Sequence, residues 1–413
     1  MTASTERFEH VNINRLVPYA RNARTHDKAQ IAQLRSSLRE FGFVAPVLCD
    51  KDYNIIAGHG RVMAAREEGI TDIPCVFVEH LTEAQKRAYI IADNRLALNA
   101  GWDADMLSVE LSDLQGADFD MSLLGFDNAE LAKLLGNGDD VQDDTFDIDA
   151  ALKEPPITKL GDLWLLGKHR LLCGDSTKPD DVARLMDGKK ANLVLTDPPY
   201  NIAYQGKAGK IQNDSMDDEQ FHAFLLSAFS NAADVMADDA SVYVFHADTK
   251  GEIFRRAFRE AGFHLSGCLI WKKSSFTLGR SVYQFAHEPI LYGWKRKGTH
   301  QWYSGRSEST VWEFDKPKKN DIHPTIKPIP MLAYAIKNST MSGCIVLDLF
   351  SGSFSTGMAC EQTERICYAM EIDMAYASAS IKRYIESFGA ENVYVERDGA
   401  RIAYADVLKV GEA

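Results

Sequence analysis

Apolar positions along this chain follow two different periods, and the change of period marks a change of architecture. Near the amino end, Ile31-Ala32-Gln33-Leu34-Arg35-Ser36-Ser37-Leu38 spaces its apolar groups at helical intervals and predicts a helix. Two short apolar runs follow, Val44 to Cys49 and Tyr53 to Ile56, and the Lys51-Asp52 step between them predicts paired strands. Gly58-His59-Gly60-Arg61 then turns into a predicted helix over Val62 to Glu68. From Leu81 to Leu135 the pattern is helical in pieces, with Ala92-Asp93-Asn94-Arg95 and Gly101-Trp102-Asp103 between or within them. The second half reads differently. Asn192-Leu193-Val194-Leu195-Thr196 and Ile345-Val346-Leu347 are near-continuous apolar runs, as strands buried on both faces require. Ser355 to Cys360 opens a helix, and Ile366 to Met370 is a further apolar run that ends in Glu371. Strand and helix alternate, which predicts an α/β unit with a mostly parallel sheet and helices on both faces.

At 413 residues, and at about 150 residues per domain, the chain has room for two or three domains. The expected division is 1–98, a helical extension with linker over 99–155, and a larger domain over 156–413. The net charge of −13 argues at first against a polyanionic partner, but its distribution reverses that. Residues 99–155 hold fifteen acids against two bases and so carry the whole excess, leaving the rest of the chain neutral. Within it, Gly136-Asn137-Gly138-Asp139-Asp140-Val141-Gln142-Asp143-Asp144 has little to bury and reads as a flexible linker. Between Trp271 and Pro330, eleven bases face five acids, interleaved with Trp271, Tyr283, Trp294, Trp302, Tyr303 and Trp312. Such a mixture suits phosphate and base contact, and Lys272, Lys273, Arg280, Lys295 and Arg296 are the candidate DNA-binding residues; the alternative is strand core under a solvated face. The seven scattered cysteines contain no C-x-x-C pair and read as reduced core thiols, with no metal site expected. No stretch reaches 18 apolar residues, so neither secretion nor membrane insertion is expected and the cytoplasm is the expected location.

The chemistry concentrates at two turns. Asp197-Pro198-Pro199-Tyr200 closes the apolar run that ends at Thr196 and resembles the catalytic signature of the amino-group DNA methyltransferases, which implies the following chemistry. A carboxylate and a carbonyl in a loop stiffened by two prolines can accept both N–H bonds of an exocyclic amine and aim its lone pair at an activated methyl group. An aromatic ring beside them can stack on an extruded base; the plain alternative is a Pro-rich turn with Tyr200 in the core. The second turn, Asp348-Leu349-Phe350-Ser351-Gly352-Ser353, follows an apolar strand and precedes a helix, a geometry in which backbone approaches a nucleoside closely. Glu371 lies 19 residues after Gly352, close to the spacing of about 20 expected of an acid that holds ribose hydroxyls.

With these two turns in that order, residues 156–389 resemble the DNA adenine-N6 methyltransferases of the permuted, beta-type arrangement, in which the catalytic loop precedes the cofactor turn. Gly174-Asp175-Ser176, His287-Glu288-Pro289 and His323-Pro324-Thr325-Ile326-Lys327-Pro328 extend the resemblance. It implies a Rossmann-like fold with S-adenosyl-L-methionine as cofactor, double-stranded DNA as substrate and a restriction-modification setting. Asp175 would contact the donor's adenine, Asp348, Phe350, Gly352 and Ser353 would line its pocket, Glu371 would hold the ribose, and Lys327 would sit near the methionine end. The Asp form of the catalytic motif leans toward adenine, although cytosine N4 needs the same chemistry. One position departs from the family pattern: its second turn glycine is here Phe354, so either the loop takes another path, using Gly357, or the donor pocket is narrowed.

Residues 8–98 resemble the ParB-type nuclease or partition-protein domain, a smaller α+β unit. In that family the turn equivalent to Gly58-His59-Gly60-Arg61 binds nucleotide phosphates or organises DNA contacts, and a helix start with Gly and Arg beside it suits anions. Here the motif is Gly-His-Gly-Arg where the partition proteins have Gly-Glu-Arg-Arg, which puts nucleotide hydrolysis in doubt. Two rival readings follow: a DNA-binding factor with a decayed methyltransferase domain, and a nucleotide switch carrying it as passenger. A homodimer is a further option for assembly.

Overall fold

The computed structural model describes all residues except 1–6, 21–23, 25–26, 118, 128–129, 132–133, 135–140, 203–204, 207–208, 211–214, 278–281, 306–307, 316–325 and 412–413. The chain divides into two compact units, Met1–Leu135 and Gly136–Ala413.

In the first unit, β1 (Arg7–Asn12), β2 (Val47–Cys49), β3 (Ile55–Ala57) and β4 (Asp72–Phe77) form one sheet in the order β1-β4-β2-β3. β2 and β3 pair antiparallel, as the two apolar runs around Lys51-Asp52 predict. Asp50 draws that turn in: its Oδ1 accepts from the backbone N of Asp52 and of Asn54, each at 2.9 Å. The predicted first helix spans Lys28–Phe41, capped by Asp27, whose Oδ1 accepts from Gln30 N at 2.7 Å. The second begins at His59, three residues before the predicted start, because Gly58 at φ +100 turns the chain directly into the helix His59–Glu67.

In the second unit, eleven strands share one sheet. They comprise β5 (Leu163–Leu166), β6 (His169–Cys173) and β7 (Ala191–Thr196), and, after the two-residue pair β8 (Gln205–Gly206) and β9 (Gly209–Lys210) that lies outside this sheet, β10 (Met236–Phe245), β11 (Phe263–Thr277), β12 (Phe285–Lys295), β13 (Val311–Glu313), β14 (Ile345–Asp348), β15 (Ile366–Glu371), β16 (Val393–Arg397) and β17 (Ala400–Ala403). The order is β13-β11-β12-β10-β7-β14-β15-β6-β5-β16-β17. β10, β7, β14, β15 and β6 form a central parallel block, and β13 pairs parallel with β11 at one edge. Both flanks are built largely of antiparallel hairpins, so the expectation of a mostly parallel sheet is corrected to a mixed one. The reason is local: β11 and β12, and β16 and β17, follow each other without an intervening helix and pair as neighbours.

Alternation along the central strands sends side chains into two cores. Leu193, Leu195 and Val346 join the core under the helices Ile329–Ser339, Ser355–Gln362 and Met374–Phe388. Val194, Ile345 and Leu347 join the other, under Pro179–Met186, Asp218–Val235 and Gly251–Glu260. All seven cysteines are free, and five are buried. Among the described residues, no helix is long and apolar enough to cross a membrane.

The flexible-linker expectation is corrected for residues 141–144; residues 136–140 lie outside the described residues. Val141 is buried in the first of these cores. Asp143 Oδ1 accepts from Ile329 N at 2.7 Å and so caps a helix, while Asp144 pairs with Arg383 at 2.7 Å. Asp143 and Asp144 thus have specific cationic or N–H partners on the folded unit, which composition alone does not reveal.

Candidate active site

β7 and β14 are hydrogen-bonded neighbours and run parallel, so the turns that follow them emerge at the same carboxyl edge of the sheet. Asp348, at the end of β14, braces them. Its Oδ1 accepts from Thr196 Oγ1 at 3.0 Å and from Phe350 N at 3.1 Å, and its Oδ2 accepts from Thr356 Oγ1 at 2.6 Å. Both oxygens accept from the protein's own donors, so Asp348 braces the turn that carries the other predicted pocket residues. Burial raises its carboxyl to about 6.

On the cofactor side, Gly352 has φ +52, and a Cβ built there meets nothing within 4 Å, so the backbone is open to an approaching group. Glu371 ends β15; its Oε2 accepts from Gly352 N at 2.8 Å and its Oε1 from Asp373 N at 2.9 Å. Burial raises this carboxyl to about 7 in spite of those two bonds. Gly174 N donates to Glu371 O at 3.1 Å, which brings Asp175 to the same edge. Asp175 Oδ1 accepts from Thr177 N at 3.0 Å and from Thr177 Oγ1 at 2.7 Å. Phe350 is half-buried against Phe224, and Ser353 is held through its carbonyl by Arg383 Nη1 at 2.7 Å.

Phe354 takes the left-handed conformation, φ 67 and ψ 24, immediately before the helix Ser355–Gln362. Its ring is fully buried and points into the core beside His169 and Tyr384, away from solvent. A Cβ on Gly357 would stand 2.2 Å from ring carbons of Phe354. The loop thus keeps the backbone conformation suited to glycine, and Gly357 clears the volume that the phenyl ring occupies.

The catalytic motif sits in a compact charged cluster. Tyr200 OH donates to Asp197 Oδ1 at 2.6 Å, and Lys327 Nζ reaches Asp197 Oδ2 at 2.6 Å. Lys327 Nζ also lies 3.2 Å from Glu288 Oε2 and 3.2 Å from Tyr200 OH. Lys273 pairs with the other Glu288 oxygen, Oε1. Burial pushes Glu288 up, but the ammonium groups of Lys327 and Lys273 outweigh it and hold the carboxyl down at about 2. Burial likewise pushes Asp197 up, against the pull of Lys327, and burial together with both carboxylates drives the Tyr200 phenol far above its ordinary value. Downstream, Asn201 at φ 55 fixes the loop's exit: its Nδ2 donates to Met216 O at 2.9 Å and its Oδ1 accepts from Met216 N at 2.7 Å.

The candidate DNA-binding lysines and arginines do not converge. Lys272 is exposed at the catalytic edge and pairs with Glu313 at 2.8 Å. Lys273 is buried in the cluster just described and has no free face for phosphate. Lys295 pairs with Asp238 at 3.0 Å and donates to Met236 O, and Arg296 donates to Arg259 O; both lie at the opposite edge, where β10 begins. Lys273 thus belongs to the charged cluster, while Lys295 and Arg296 stand apart from it because β12 runs antiparallel to β10 and carries its last residues away from Asp197. Arg280 lies outside the described residues. Trp271 and Trp312 are core residues, while Tyr283 is exposed.

In the first unit, Gly58 is the N-cap and His59, Gly60 and Arg61 are the first residues of the helix, where the sequence predicts a turn leading into it. Tyr19 N donates to His59 Nε2 at 3.3 Å, and the Arg61 guanidinium packs under Gly58, where an added Cβ would lie 3.1 Å from it. Burial pulls the Arg61 guanidinium down, with Asp93 opposing.

Three family models match in tandem: residues 1–94 a ParB N-terminal domain, residues 105–160 a ParB-methyltransferase HTH domain, and residues 191–382 a DNA methylase. Residues 191–382 therefore carry a DNA methylase domain and residues 1–94 a ParB N-terminal domain. The ParB-like nuclease domain-containing protein YnaK of Escherichia coli is 48% identical over 75 residues, covering 18% of this chain and 86% of YnaK. The type II methyltransferase M.HpaI of Haemophilus parainfluenzae is 24% identical over 251 residues, 55% of this chain and 78% of that protein. The DNA adenine methyltransferase YhdJ of Escherichia coli is 25% identical over 228 residues, 47% of this chain and 76% of YhdJ. The helix-turn-helix match begins in a region for which the sequence offered no function, since the helix Ala104–Gly116 carries no distinctive motif. In the methylase unit, Asn201 and Arg383 were equally invisible, because their role is to hold a loop through distant backbone groups.

Proposed function

We propose that this DNA methylase transfers a methyl group from S-adenosyl-L-methionine to the N6 amine of adenine in duplex DNA, after flipping the base. The observation that carries this reading is the convergence of the Asp197 cluster and the Gly352–Glu371 cradle on one edge of the sheet. The cradle fits a nucleoside: an open glycine backbone lies beside a half-buried carboxylate that can accept two vicinal hydroxyls, with Asp175 next to it. When bound, S-adenosyl-L-methionine supplies an electrophilic methyl on a sulfonium. Asp197 accepts one N–H of the target amine and the Pro198 carbonyl the other, which turns the lone pair out of conjugation with the ring. Tyr200 stacks on the base and offsets part of the few kcal/mol spent on flipping it. The Asp-Pro-Pro-Tyr motif and the likeness to YhdJ, named as an adenine methyltransferase, support adenine over cytosine N4. The ParB and helix-turn-helix regions support a DNA-positioning role for residues 1–160, with the Gly58–Arg61 turn as the place for a nucleotide phosphate.

Expression in a host without DNA methylation, followed by modification-sensitive single-molecule sequencing, tests this directly. N6-methyladenine at one recurrent sequence is expected; N4-methylcytosine would transfer the same site to the other amine, and unmodified DNA would remove the activity.

The Glu371 carboxyl gives a second test. Ribose hydroxyls need the ionised form as acceptor, and burial places its titration at about 7. Donor affinity should therefore be highest above that pH and fall toward tenfold per pH unit below it, the limit for one proton taken up in the empty site. Calorimetric titration with S-adenosyl-L-methionine across that range checks it. An affinity that is flat with pH would take Glu371 out of the contact.

A further inference from the structure

The Lys327 ammonium is 6% exposed and lies in the catalytic cluster, although its motif lies 130 residues from Asp197 in the chain. We propose that it is a place-holder for the target amine: in the resting site it occupies the hydrogen-bonding position on Asp197 that the exocyclic N–H takes during transfer, and Glu288 receives it when the base arrives. This inference rests on the methyltransferase reading and assigns one further residue of that site.

The geometry supports each part. An ammonium and an amine are both N–H donors of similar size, and Lys327 Nζ meets Asp197 Oδ2 at 2.6 Å. Tyr200 gives this half-buried carboxylate a hydrogen bond but no counter-charge, so the empty site favours a cationic donor on Oδ2. A neutral amine replaces the hydrogen bond but not the charge, so the ammonium has to stay near. Glu288 Oε2 is already 3.2 Å from it, and a short displacement keeps Lys327 inside the cluster while freeing Oδ2. Lys273 on Glu288 Oε1 keeps that carboxylate ionised and ready. Lys327 Nζ also stands 5.0 Å from the centroid of the Phe245 ring and 5.5 Å from that of Tyr200, which enclose it, and the Tyr200 hydroxyl accepts from it at 3.2 Å. The charged or titratable groups facing Asp197 are thus Lys327 and Tyr200, Glu288 from β12 with Lys273 behind it from β11, and Asp348 from β14.

Without Lys327, Asp197 keeps its burial and its carboxylate neighbours but loses its counter-charge, so its protonated form gains and the acid limb of the activity profile moves to higher pH. The experiment uses full-length parent, Lys327→Met and Lys327→Arg, with single-turnover methylation of unmethylated plasmid DNA between about pH 6 and pH 9, and donor titration with S-adenosyl-L-methionine. Lys327→Met should slow transfer by about tenfold or more at neutral pH, recover part of the loss as the pH rises, and bind the donor within about twofold of the parent. Lys327→Arg should restore the parental pH profile. A Lys327→Met variant with unchanged rate overturns the inference. So does one whose pH profile is parental while donor affinity falls about tenfold, which would make Lys327 a donor contact instead. An inactive parent protein would overturn the methyltransferase reading and this inference with it; an active parent with either of those variant results overturns this inference alone.

Discussion

Replacing Asp197 by alanine should abolish methyl transfer while leaving S-adenosyl-L-methionine binding nearly unchanged. Its carboxylate is held by Tyr200 and Lys327, while Gly352, Glu371 and Asp175 are held by a separate set of hydrogen bonds. Removing a single preorganised acceptor aimed at developing charge costs about 100- to 1,000-fold in rate, and here it also leaves the Lys327 ammonium short of a partner, so the larger end is expected. Single-turnover methylation and donor calorimetry on the same preparation separate the two effects. Parental turnover would refute the role of Asp197, and a parallel loss of donor affinity would show that the two turns are not independent.

The second large effect is expected at Phe354. Its ring is fully buried in the core beside His169 and Tyr384, so Phe354→Gly opens a cavity there. Truncating a buried phenylalanine costs about 3 to 5 kcal/mol, while relief of a left-handed backbone returns of order 1 kcal/mol, so a net loss of about 2 to 4 kcal/mol is expected. Donor affinity should not improve, because the ring points into the core and Gly352, not residue 354, presents the open backbone. A melting curve paired with a donor titration decides between this and the narrowed-pocket alternative raised by the sequence. Tighter donor binding at an unchanged melting temperature would favour the narrowed pocket.

Much of the site is legible in the sequence because it is local. The Asp197 loop and the Phe350–Ser353 turn each follow an apolar run, and parallel strands deliver their trailing residues to one edge whatever the details of packing. The Glu371 contact with Gly352 follows from a spacing of 19 residues within one strand, turn, helix and strand unit. What escaped depends on long-range pairing. Lys327 meets Asp197 from the loop before the helix Ile329–Ser339, and Lys273 meets Glu288 across two strands whose register no local pattern specifies, so a sum of basic residues over Trp271 to Pro330 does not reveal a lysine paired inside the cluster. Lys295 and Arg296 stand apart from that cluster for a related reason: an antiparallel strand carries its two ends to opposite edges. Asp143 and Asp144 read as linker because composition registers their charge but not the helix start and the arginine that hold them.

Phe354 and Gly357 constrain the order in which substitutions can accumulate in this turn. With phenylalanine at position 354, any side chain at 357 collides with the ring, since even a Cβ there would approach to 2.2 Å. With glycine at 354, that conflict does not exist. A lineage moving from a glycine turn to this one therefore needed a glycine at 357 before the aromatic arrived, and the reverse sequence passes through a clash. Once the ring is in place, position 357 is locked, and only loss of Phe354 releases it.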